Sequence, residues 1–314
     1  MAKLRLKKSV KKVLLFLILF IIVLIGATKL IKTYKYHQTY EYKFLQINYN
    51  LDEINILTKY LDNSTLDKLL ERQYDVNIPK VINKKYFLLK NLDRYLDYIP
   101  KNPDKSIDDC IALVNVNRDK PYYEDLQTTK ESDGIAMLVN KYHALSKDYK
   151  PDDIVKVSTT YSYSGMSLKK EAYDAFKKLA DDAKKEGYTI VILSSYRTYE
   201  YQDELWSKRK NKNGIEQADA YAARAGSSEH ETGLAIDVAD YNHPRNFGEQ
   251  ESFTWMINNS YKYGFILRYP EGKENITGYD YEAWHYRYLG PELATKVYNE
   301  GITYDEYYEF YLNK

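Results

Sequence analysis

Hydrophobic and polar positions follow three regimes along the chain. An uninterrupted apolar run covers 13–27. Carried past Thr28 and Lys29 to Ile31, it approaches the about 20 residues of a helical membrane span, because a lysine near a helix end can snorkel. Between 32 and 150 apolar residues recur at helical spacing, and the spacing predicts short amphipathic helices over 51–61, 66–70, 86–98 and 137–145. Pro79, Pro100, Pro103, Pro121 and Pro151 punctuate this region. After Pro151 the pattern alternates: an amphipathic helix over 168–185, β-rich or apolar runs over 188–194 and 234–238, and two short helices over 291–312 around Gly301. Four parts are expected: a basic segment 1–12, a transmembrane anchor 13–31, a helical spacer or accessory module 32–150, and an α+β domain 151–314.

Charge adds direction to the anchor. The net charge is +1, yet Lys3, Arg5, Lys7, Lys8, Lys11 and Lys12 all precede the apolar run. Positive residues stay in the cytoplasm, so everything after about Lys32 is expected outside, in a single-pass membrane protein. A cleaved signal peptide is the rival reading, but Gly26-Ala27-Thr28 is a poor small-x-small site and no cysteine stands nearby for lipid attachment. Both readings export the rest of the chain. Cys110 is the only cysteine, so neither an internal disulfide nor a cysteine-based metal site is available. Acidic and basic residues alternate finely elsewhere, without a basic stripe, which argues against nucleic acid as a partner.

Three segments stand out: Ser194-Ser195-Tyr196-Arg197 through Gln202, and then Ser228 through Asp237 and Glu282-Ala283-Trp284-His285, where histidine and carboxylate residues stand close together. A catalytic zinc takes three protein ligands, commonly two imidazoles and a carboxylate. His230, Asp237 and His285 meet that count. Asp237 follows His230 by seven, so a turn must intervene to bring them together, and Thr232-Gly233 is the place for it. Inside its apolar run an unpaired Asp237 would be costly, and a metal removes that cost. Glu282 precedes His285 by three, on one side of a helical turn or of a bulged strand, from where it can serve as general base. Arg197 suits either an oxyanion or a free peptide carboxylate. His37, His143 and His243 are expected to be solvated, packed or in a loop.

These blocks resemble the VanY-type D-alanyl-D-alanine carboxypeptidases and their LAS metallopeptidase relatives, which include the Hedgehog signalling domain. The matching segments are Ser-x-Arg-x4-Gln at 195–202, Ser-x-His-x6-Asp at 228–237 and Glu-x2-His at 282–285. The resemblance implies a small antiparallel sheet with flanking helices carrying the metal. It implies Zn2+ on His230, Asp237 and His285, Glu282 as general base, Arg197 stabilising the transition state, and Ser228 and Gln202 contacting substrate. The activity implied is removal of the C-terminal D-alanine from peptidoglycan stem peptides by attack of a metal-bound water. Two alternatives stand beside it: an L,D-carboxypeptidase acting on tetrapeptide stems, and a non-catalytic wall-binding module of the same fold.

Overall fold

A computed structural model describes residues 7–163 and 165–313. Most of the expected basic segment, including Lys3 and Arg5, lies outside the described residues. The chain divides into two compact units, one ending at Leu92 and one beginning at Asp93. The first is all-helical: α1 (Lys8–His37), α2 (Tyr40–Gln46), α3 (Leu51–Tyr60), α4 (Asn63–Leu70) and α5 (Asn77–Ile82). Helix α1 is long and apolar enough to cross a membrane, and none of its residues is buried. Helices α2 to α5 bury Phe44, Leu57, Leu66 and Val81. Asn50 caps α3 in a reciprocal box with Glu53, and Asp62 caps α4, so two of the helices predicted from spacing start where orphan N–H groups find side-chain acceptors.

Helices α6 (Leu92–Lys101) and α7 (Ile107–Asn115) follow, then the short parallel pair β1 (Gln127–Thr128) and β2 (His143–Ala144). Here the sequence expectation of a helix over 137–145 fails. Leu138 packs into one apolar cluster, whereas Met137 and Val139 pack into another, the two-residue alternation of extended chain. The Asn140 side chain then accepts the backbone N–H groups of Tyr142 and His143, closing a turn where a helix would have run on.

The rest of the chain builds a four-stranded antiparallel sheet. It contains β3 (Ile154–Lys156) and β4 (Ser167–Lys169) as a separate hairpin, then α8 (Lys170–Lys185), β5 (Ile190–Ser194), α9 (Tyr199–Asn213), α10 (Ile215–Tyr221) and β6 (Ala235–Asp240). After them come α11 (Glu251–Asn259), β7 (Phe265–Leu267), α12 (Glu274–Thr277), β8 (His285–Tyr288), α13 (Gly290–Glu300) and α14 (Tyr304–Tyr307). Strand order is β5-β6-β8-β7. Side-chain alternation divides the sheet into two faces. Ile192, Ile236, Val238, Tyr286 and Phe265 face the apolar side of α8, where Ala172, Phe176, Leu179 and Ala183 recur at helical spacing. Asp237, His285 and Arg287 therefore share the opposite face.

At one edge of this core Gly264 takes φ +93° ahead of β7, and a Cβ there would stand 2.7 Å from Tyr288 and 2.8 Å from the Gly290 backbone. Gly264→Ala is predicted to destabilise the unit by about 2 kcal/mol, read as a lowered midpoint in denaturant unfolding. An unchanged midpoint would refute the close packing described.

Candidate metal centre

Asp237 and His285 are direct partners in the ladder between β6 and β8, and Ser194 opposes Asp237 on β5 at a bulge. Paired residues across antiparallel strands hold their Cβ atoms about 5 Å apart, so the two side chains meet without special contortion. His285 Nδ1 lies 3.0 Å from Asp237 Oδ1. The third member arrives from a short 3-10 turn, Glu229–Thr232, which ends at Gly233 in the left-handed region (φ 69°). The reversal expected at Thr232-Gly233 is there, and it carries His230 Nε2 to 3.4 Å from Asp237 Oδ1.

The three side chains offer two imidazole nitrogens and one carboxylate oxygen within 4.8 Å of one another. That donor set fits a catalytic zinc. The remaining ring nitrogens fix which atoms are on offer. His230 Nδ1 is 2.8 Å from the Ser195 carbonyl, which only accepts, so the proton sits on Nδ1 and the Nε2 lone pair faces the cluster. His285 Nε2 points at Glu229 Oε2, 3.5 Å away, leaving Nδ1 for the cluster. Burial, reinforced by the Arg197 charge, pushes His230 down to about 4. For His285 burial works against the charged form, but its bonds to Asp237 and Glu229 prevail and raise it to about 9. Asp237 is buried too, yet the two imidazoles hold it well below the usual carboxylate range.

Glu282 sits in the turn just before β8, where the His285 N–H donates to its carbonyl, and its Oε2 is 3.8 Å from His285 Nδ1. Burial lifts its carboxyl to about 7. Arg197 follows β5. Its Nη2 donates to Ser194 Oγ at 2.7 Å and to Asp237 Oδ2 at 3.3 Å, and its Nη1 to Gln202 Oε1 at 3.2 Å. Gln202, on the first turn of α9, donates its own amide to the Ala223 carbonyl at 2.8 Å. Ser228 precedes the His230 turn, and its N–H donates to Glu231. All seven residues singled out from sequence line one cleft of 590 Å³. His143 and His243 lie away from it: His143 is buried against Asn140, and His243 forms a one-residue bridge to Asp240.

Residues 165–291 match the family described as VanY, D-alanyl-D-alanine carboxypeptidase. YodJ of Bacillus subtilis (strain 168), assigned by name to the carboxypeptidases, is 38% identical over 194 residues, covering 59% of this chain and 71% of YodJ. This chain belongs to the VanY family. A second family relative, the D-alanyl-D-alanine carboxypeptidase of Enterococcus faecalis (strain ATCC 700802 / V583), is 32% identical over 203 residues, 60% of this chain and 72% of its own. Among solved structures, that of the LdcB LD-carboxypeptidase, which concerns peptidoglycan recognition, is 38% identical with a TM-score of 0.56, covering 60% of this chain and 91% of LdcB.

Four further charged residues of this VanY-family domain escaped the sequence reading. Glu229 is buried directly behind His285, accepting from Arg268 Nε at 2.8 Å and Arg287 Nη1 at 3.0 Å. Burial opposes its charge, but the two guanidinium groups hold it well below the usual carboxylate range. Alternation alone places Arg287 on the face of His285, two residues earlier. Arg268 is a single arginine after a strand, with no local signal. Lys141 is the third kind: fully buried, it donates to the carbonyls of Asp219 and Gly278 and stands 4.2 Å from the ring centre of Tyr279, a wall of the cleft.

Burial pushes Lys141 down to about 8 from an ordinary 10.5. Between those values the unfolded chain holds a proton that the folded chain has released, so this lysine makes stability rise with pH. From pH 8 to 10 the parent is predicted to gain stability relative to Lys141→Met, with a slope on the order of 1 kcal/mol per pH unit. Parallel slopes in denaturant unfolding across that window would contradict it.

Proposed function

We propose that this VanY-family chain is a zinc-dependent D-alanyl-D-alanine carboxypeptidase that removes the terminal D-alanine from peptidoglycan stem peptides. What supports the reading is one arrangement: three metal-type donors, an unligated carboxylate and an arginine converge on a single cleft. On this reading His230 Nε2, Asp237 and His285 Nδ1 hold zinc. Zinc so held would supply Lewis acidity, polarising the scissile carbonyl and acidifying a water.

The chain's own residues supply the rest. Glu282 has a proton affinity near neutrality because burial disfavours its charge, so it both accepts and returns a proton at pH 7. It takes the proton of the attacking water as oxygen bonds to the carbonyl carbon, then delivers it to the nitrogen as the C–N bond breaks. Arg197 is aimed by Ser194, Gln202 and Asp237, and its guanidinium steadies the negative charge that develops on the carbonyl oxygen. Ser228 lines the cleft beside them as a substrate contact. Gln202 commits both ends of its amide to Arg197 and Ala223, so its share in holding substrate runs through the direction it gives Arg197. Helix α1 anchors the chain as a single-pass protein of the bacterial membrane, with the 151–314 domain outside among its substrates.

A second reading is favoured by the likeness to LdcB: an L,D-carboxypeptidase that trims tetrapeptide stems. The metal chemistry is common to both. Defined pentapeptide and tetrapeptide stems incubated side by side with the zinc-loaded protein separate them by mass spectrometry. The D,D reading expects one alanine lost from the pentapeptide, and alanine lost from the tetrapeptide alone, leaving tripeptide, would transfer the assignment to the second reading.

Glu282→Gln is predicted to lower kcat by roughly 10²–10⁴ while one zinc per chain is retained. Undiminished cleavage by that variant would remove Glu282 from the mechanism. Treatment with a strong chelator should abolish cleavage, and added zinc should restore it. Activity persisting in protein shown by elemental analysis to be free of metal would sink the zinc assignment.

A further inference from the structure

Two arginines line the cleft, and they differ in their commitments. Arg197 is held on three sides. Arg209, on α9, has no hydrogen bond or ion pair among the described residues. Nor does its helix offer one: the positions three and four residues away are Leu205, Trp206, Lys212 and Asn213, none of them acidic. The neighbouring charges of α9 are engaged, Lys208 with Glu204 and Lys210 over Trp206. Its charge acts on Glu282 across the cleft, but its guanidinium N–H groups have no acceptor among the described residues, which leaves an exposed donor on the wall open to an anion.

Its place along the helix says which anion. Gln202, Leu205 and Arg209 share one face of α9, and all three line the cleft. Arg209 lies seven positions after Gln202, which is beside the reacting centre, or about 10 Å further along the axis. Extended peptide covers about 3.3 Å per residue, so that distance is roughly three residues of substrate. A carboxypeptidase holds a single residue beyond the scissile bond, and the retained side must fill the remainder. The cleft, at 590 Å³, has the size that accepts such a length of peptide, and exposed Tyr201, Tyr221 and Trp284 offer it flat apolar walls.

We propose that Arg209 is a specificity-determining residue that binds a carboxylate on the retained side of the scissile bond, at the second or third residue inward. The inference rests on the carboxypeptidase reading above. Two sources present this chemistry in a stem peptide: the free α-carboxylate of a γ-linked D-glutamyl residue, and the side-chain carboxylate of a diamino diacid at the following position. The planar guanidinium reads either in a bidentate fork.

Three pentapeptides ending in D-Ala-D-Ala decide it, assayed with the full chain in detergent. One carries the carboxylate only at the γ-glutamyl residue, one only at the diamino diacid, and one, with isoglutamine and lysine, carries neither. The parent is expected to favour one of the two peptides with an inner carboxylate over the one without by about tenfold in kcat/KM, expressed in KM. Whichever peptide is favoured identifies the source. Arg209→Gln should bring that ratio to about one, and Arg209→Lys should keep part of it. A ratio that is the same in parent and Arg209→Gln overturns the proposal, whether all three peptides weaken together, as they would if Arg209 held the terminal carboxylate, or none does. Equal use of the three peptides by the parent overturns it as well. The same ratios are read as Kd by calorimetry in the Glu282→Gln background. If no peptide is hydrolysed by the parent the carboxypeptidase reading fails, and these binding ratios still decide the role of Arg209.

Discussion

Everything around the candidate site leans on one buried carboxylate. Glu229 is sealed from water, and so are the two arginines that grip it. Three such charges could not be buried singly, because each would lose several kcal/mol of hydration. Together they are satisfied: Arg268 reaches Asp305 on α14 as well, Asn140 donates to that same aspartate, and Arg287 donates to the carbonyls of Ile135 and Met137. The cluster therefore binds the turn bearing His230, the strand bearing His285, the carboxy-terminal helices and the segment before 151 into one body. Since Glu229 also faces His285 Nε2, the orientation of a proposed ligand depends on the same charges that hold the domain closed.

The sheet adds a second constraint of a simpler kind. Strand alternation sends Ile236, Val238 and Tyr286 to the apolar helix α8 and leaves Asp237, His285 and Arg287 on the far face. A shift of one residue in the register between β6 and β8 would reverse both sets at once. The apolar core thus protects the polar site, although no atom of the one need touch the other.

Much of this was legible before any coordinates, but unevenly. The residues that converge on the cleft stand in short blocks whose order and spacing resemble a known family, and the turn at Gly233 follows from the interval between His230 and Asp237. Strands over the β-rich runs and the helix now seen as α8 were also readable, because their apolar periods are clean. What could not be read is long-range. Arg268 and Asp305 are 37 residues apart and each looks like an ordinary surface charge. Lys141 would be assigned to solvent by any local rule, yet it lies between two tyrosine rings. The stretch over 137–145 misled for a related reason: its apolar residues serve two separate clusters on opposite sides, and a pattern read along one chain cannot tell two partners from one.

The direct pairing of Asp237 with His285 has a consequence for how such a domain can change. Their separation is set by the backbone hydrogen bonds of adjacent strands, although the two lie 48 positions apart along the chain. That intervening chain can lengthen, shorten or acquire new surface without moving either donor, provided the ladder stays in register. The reactive centre and the architecture around its mouth are in this sense free to evolve at different rates, the first inherited with the sheet and the second open to revision.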